Sequence, residues 1–156
     1  MKSEIIFSYS GMSRGRYREI STSEIVIEAN FDNPAAWPFI LRRKKTIDRK
    51  LLQQKEVLLD ESIKLSKALY EKIKQTIEKH SALRTCEEHI ETGTMDGTSE
   101  TFYFSCNAFS KRIGGVSICG AGHYEAEKPT SERTDCYVVY KAFEEIQKIL
   151  KQENIN

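Results

Sequence analysis

The stretch from Asp48 to His80 constrains the fold more than any other, because it contains neither proline nor glycine and is rich in Leu, Glu, Lys and Gln. Leu59, Ile63, Ser66, Tyr70, Ile73 and Ile77 recur in it at helical spacing. Leu58, Ser62, Leu65, Leu69 and Thr76 widen that stripe, while Lys64, Lys67, Glu71, Lys72, Lys74, Glu78 and Lys79 fill the opposite side. The pattern predicts a long central helix lying on a sheet. Asp48 and Asp60 both suit an N-cap, so the stretch is one helix or two segments, and residues 39–50 are an alternative edge strand.

The segments on either side read as strands. Ser3 to Ser10 alternates Ile5, Phe7 and Tyr9 against Glu4, Ile6 and Ser8, and Gly11 ends it. Arg14 to Ile20 and Ser23 to Phe31 follow as two more strands joined near Ser21-Thr22, with Ile25, Ile27 and Ala29 inward and Glu24 and Glu28 outward. Pro34 and Pro38 mark an irregular connection, which the single tryptophan, Trp37, anchors on the core. Beyond the helix, Cys86 to Thr92, Thr101 to Phe109 and Ile113 to Gly120 read as consecutive hairpins. The signal Met95-Asp96-Gly97-Thr98 turns the first pair. Ala121 to Glu132 reads as loop. A last helix, capped by Thr134 or Asp135, runs to about Gln152 with Val139, Ala142, Phe143, Ile146, Ile149 and Leu150 on its apolar face.

The sum is an α+β fold: a mostly antiparallel sheet of about six strands in the order βββ-α-βββ-α, with the long central helix and the C-terminal helix packed on one face. At 156 residues, 39% hydrophobic and 30% charged, the chain 1–156 is the size of a single domain. No apolar run in the sequence reaches the length of a signal-peptide core or a membrane span, so the expected compartment is the cytoplasm. There the four cysteines are reduced thiols, with no Cys-x-x-Cys among them. The net charge is +1, but residues 1–84 carry 17 Lys/Arg against 11 Asp/Glu and residues 85–156 carry 7 against 12. Such polarity steers charged or polar partners.

With helices on one face only, the other face is open. Alternation sends Phe102, Phe104, Cys106 and Ala108 inward opposite Val116 and Ile118, and turns Tyr103, Ser105, Asn107, Ser117 and Cys119 outward. His89, Glu91 and His123 join them as a candidate binding face, whose bland alternative is an ordinary solvated surface. Cys119 and His123 are also the residue types of a thiol nucleophile and its base, although no orienting third group or oxyanion hole is evident. Cys86-x-x-His89 with Cys119-x3-His123 has the composition of a zinc site, but mixed pairs on strands are poorly placed to converge. Arg14, Arg16 and Arg18 share one face of a strand, where Glu24 and Glu28 oppose them. The run Arg42-Arg43-Lys44-Lys45 is the better candidate for an anion or nucleic acid. Gly114-Gly115 and Gly120-Ala121-Gly122 lack the context of a phosphate loop. By elimination the leading expectation is a non-enzymatic protein-interaction module of a partner-binding, regulatory or toxin-neutralising type, with no cofactor, no catalytic residue and no metal. Another protein is the expected partner, nucleic acid a weaker one, and a membrane none.

Overall fold

The computed structural model describes residues 3–93, 97–128 and 133–155. A seven-stranded sheet has the order β4-β3-β2-β1-β6-β7-β5. Its strands are β1 (Ser3–Arg14), β2 (Glu19–Asn30), β3 (Phe39–Arg49), β4 (Gln54–Lys64), β5 (His89–Ile90), β6 (Ser99–Ser105) and β7 (Ser110–Val116). The helices are α1 (Lys67–Lys79), α2 (Ile118–Ala126) and α3 (Asp135–Gln152). The chain is therefore α+β with a mostly antiparallel sheet, but the elements run ββββ-α-βββ-αα.

The largest departure from expectation is the first half of the Asp48–His80 stretch. It completes β3, turns through Lys50–Leu52 and returns as β4, so the long helix is only its second half. Leu59 and Ile63 are four residues apart, a spacing that serves a period of two as well as one of 3.6. Ser66, counted in the helical stripe, is in fact the cap: its Oγ accepts the Leu69 N–H at 3.0 Å. From there Tyr70, Ile73 and Ile77 are buried as the spacing predicts, with Leu69 and Thr76 beside them. Residues 39–49 are a strand, but an interior one, since β4 is the edge.

Two more boundaries move for local reasons. β1 continues through Gly11, whose missing side chain makes room for the Tyr9 ring, and Ser21-Thr22 lies within β2 rather than at a turn. The reversal falls at Arg16–Arg18, so the three arginines Arg14, Arg16 and Arg18 do not line one strand. β5 pairs parallel with β7, not as a hairpin with β6. The turn signal that suggested the hairpin includes Met95 and Asp96, which lie outside the described residues.

The core is one-sided. Register aligns Phe104, Phe7, Ile27 and Leu41 across four strands, and all four are fully buried. Phe143 of α3 lies on Phe7 at 5.6 Å and on Phe102 at 5.4 Å between centroids, and Tyr70 of α1 lies on Phe39 at 4.8 Å. The six apolar residues expected on α3 are all buried. Trp37 does anchor its loop, donating Nε1–H to the Leu65 carbonyl at 2.7 Å.

Candidate functional site

The residues expected on one open face do not gather there. Tyr103 and Ser105 do face outward from β6: the Arg112 guanidinium lies 5.3 Å from the Tyr103 ring centroid, and the Ser105 and Ser110 hydroxyls are 2.9 Å apart. Asn107 sits in the β6–β7 turn. His89 and Glu91 are exposed at the short β5 edge, paired with each other at 3.1 Å. The expected register is also displaced. Ile113, not Val116 or Ile118, opposes Phe102, while Val116 opposes Ser99. Cys106 follows the end of β6 and is half-buried.

Ser117, Cys119 and His123 belong to α2 and its start, because the chain leaves β7 at Val116 and coils at once. Gly122 lets α2 lie directly on α3: a Cβ there would come within 2.4 Å of the Cys136 carbonyl oxygen. Cys119 points back toward the core side, and Glu100 receives it. Glu100 is 5% exposed, and its carboxylate accepts the Tyr9 O–H at 2.9 Å and the Cys119 N–H at 3.0 Å. A carboxylate at the first turn of a helix satisfies an orphan donor and meets the positive end of the dipole. Burial first, then the charge of Glu100, pushes the Cys119 thiol pKa well up, and the Tyr9 hydroxyl follows for the same reasons. That is the opposite of nucleophile activation. His123 is engaged elsewhere, with Nδ1 3.0 Å from the Tyr140 hydroxyl and Nε2 3.3 Å from Glu127. Glu100 was missed on the sequence, although extending the inward series Phe104, Phe102 by two residues reaches it.

Cys86, His89, Cys119 and His123 do not converge. The Cys86 thiol is buried against the Ala82 carbonyl at 3.5 Å, and His89 is at the surface. Among the described residues no group of three or more His, Cys, Asp or Glu is placed to hold a metal ion. The basic run is divided by strand alternation, with Arg42 and Lys44 on the open face and Arg43 and Lys45 on the other. Two of its charges are matched: Arg42 meets Glu28 at 3.1 Å, and Arg43 meets Glu61 at 2.5 Å. Lys44 stands between Glu24 and Asp60 in register. His80 packs its ring nitrogen on Glu145 of α3, an interhelical pair.

The feature that sequence reasoning did not locate is the free outer edge of β4. Its eleven residues carry Val57 and Leu58 more than half exposed, and the turn leading into it exposes Leu51 at 59% and Leu52 at 64%. Tyr17, 77% exposed, tips the neighbouring β1–β2 hairpin, whose turn touches the β3–β4 turn. Tyr17, Leu51 and Leu52 thus lie on adjacent turns, and Val57 and Leu58 lie farther along β4. A cleft between α1 and α3 is open and lined by Lys72, Lys79, Lys141 and Lys148 with Glu144 and Glu145, unlike an apolar small-molecule pocket. Among the described residues no helix is long and apolar enough to cross a membrane. No family model matches the chain, and a search of curated proteins finds no match.

Proposed function

We propose that the chain is a non-enzymatic protein-interaction module that binds another protein along the free edge of β4. The observation that carries this reading is an eleven-residue edge strand whose entry turn and first residues expose Leu51, Leu52, Val57 and Leu58. An uncovered edge offers a row of unpaired N–H and C=O groups, here on either side of a bulge at Leu58, to which an extended chain can add. Contiguous exposed apolar side chains mark interaction sites on soluble domains. The reduced, protonated Cys119 and the matched charges around Arg42 and Arg43 make a thiol enzyme and a phosphate binder weaker readings.

The test uses the full chain, tagged, as bait in an extract of its source cells at low salt. One protein should be retained in near-stoichiometric amount and displaced by untagged chain. Retention of no protein under those conditions overturns the reading.

A further inference from the structure

We infer that two adjoining hairpin tips, Arg16–Arg18 and Lys50–Gln53, are a docking site for an anionic lipid surface. The first tip closes β1 onto β2 and the second closes β3 onto β4. Glu19 stands opposite Arg49 in register, which sets both tips at one end of the sheet, where they touch. Their seven residues are all exposed: the cations Arg16, Arg18 and Lys50, the apolar Tyr17, Leu51 and Leu52, and Gln53. None is an acid.

Neither turn chemistry nor the core accounts for these residues. Tight turns select Gly, Pro, Asn, Asp and Ser, and Lys50–Gln53 contains none of them. Leu51 and Leu52 contribute nothing to the core, since both stay more than half exposed. Large apolar side chains mixed with cations on a projecting tip fit the boundary of a bilayer. Leucines enter the edge of the acyl region, a tyrosine ring lies at headgroup level, and arginines meet lipid phosphates. The sequence holds no apolar run long enough to span a membrane, and a surface that lies on lipid needs none.

Charge sets the expected strength. Arg16 and Arg18 make no ion pair with any described residue, whereas Lys50 is matched by Asp48, and Arg49 behind it by Glu19 and Glu56. The attraction therefore rests on two arginines, each contributing about fivefold near an anionic surface. That alone is weak, and the apolar side chains supply the second signal that docking requires. A protein in this place would need a cleft matched to two separate turns, while a bilayer interface closes round both. The free edge of β4 starts after the second tip, at Gln54, so a chain can add to it while the tips lie in lipid.

The experiment mixes the full chain, with no other protein present, with vesicles of phosphatidylcholine alone or with about one-third phosphatidylserine, and measures co-sedimentation. Partition should be about tenfold or more stronger with phosphatidylserine, and added salt should erode the difference. Leu51→Ser with Leu52→Ser, and separately Arg16→Gln with Arg18→Gln, should each weaken it by about tenfold. All four side chains are exposed, so an unchanged thermal midpoint separates lost binding from lost folding. Placement is read by fluorescence. A tryptophan introduced by Leu52→Trp should shift to the blue on vesicles and be quenched by brominated acyl chains. Trp37, in the β2–β3 connection at the other end of the sheet, should not respond. Equal partition onto both kinds of vesicle, or partition that survives both pairs of substitutions, overturns the inference, as does a response at Trp37. Capture of a soluble protein that either pair abolishes, with no partition onto vesicles, assigns the tips to that protein instead.

Discussion

Glu100 shows how much one side chain organises this fold. It takes an inward position between apolar neighbours and accepts from two elements at once, Tyr9 of β1 and the first turn of α2. Replacing Glu100→Ala leaves a buried hydroxyl and a helix N–H without partners, and should cost about 1–3 kcal/mol in urea unfolding. Glu100→Gln, which keeps the acceptor, should cost less. The same geometry reverses the order of thiol reactivity that sequence alternation suggests, with Cys119 outward and Cys106 inward. Cys119 is held protonated by burial and by Glu100, so Cys106 should alkylate first in the native state, followed with mass spectrometry, and Cys119 should wait for unfolding. Labelling of Cys119 first would mean α2 is not seated on Glu100. At the surface, hydrogen bonds from Tyr140 and then Lys141 hold the Glu144 carboxyl at about 2, below its ordinary 4.5. Its folded pKa is depressed, so its contribution is present above about 4.5 and is lost as pH falls toward 2. The Glu144→Gln chain should therefore lose less thermal stability on acidification through that window, by a small margin because the group is partly solvated.

At the scale of elements, the legible parts were those where one period had no competitor. In α3 the recurrence from Val139 to Leu150 fits only a helix, and its cap, stripe and end all fall where the spacing puts them. The Asp48–His80 stretch was misread because a spacing of four satisfies both periods, and because its hairpin turns on Lys50, Leu51, Leu52 and Gln53, none of which signals a turn. Gln53 adopts positive φ where glycine or asparagine would have announced the reversal. α2 was hidden for the opposite reason: Gly120 and Gly122 read as loop, yet Gly122 is what allows the helix to touch α3. Gly122→Ala should force α2 away from the Cys136 carbonyl and the Tyr140 Cβ, destabilising the chain by about 1–3 kcal/mol and loosening the start of α2. Near-UV circular dichroism and urea unfolding check it, and a neutral result would mean that the two helices are not in contact there.

For the whole molecule, the α+β class and the antiparallel sheet followed from alternation and composition, but the site did not. The open-face set failed as a group because a face is assigned strand by strand, and the early end of β7 at Val116 moved Ser117, Cys119 and His123 onto a helix. The free edge proposed as the interaction surface emerges only with strand order, which no local pattern encodes: β4 becomes an edge because β1 pairs with β6 on its other side. The most direct test of the account is amide hydrogen exchange across Gln54–Lys64, measured in the free chain and with the captured protein bound. In the free chain every second amide of β4 should exchange rapidly, since only one side of the strand is paired. Binding should slow those amides, together with those of the Lys50–Leu52 turn. Slowing confined to the open sheet face or to α1 and α3, with β4 unchanged, would contradict the claim that this edge is where the partner sits.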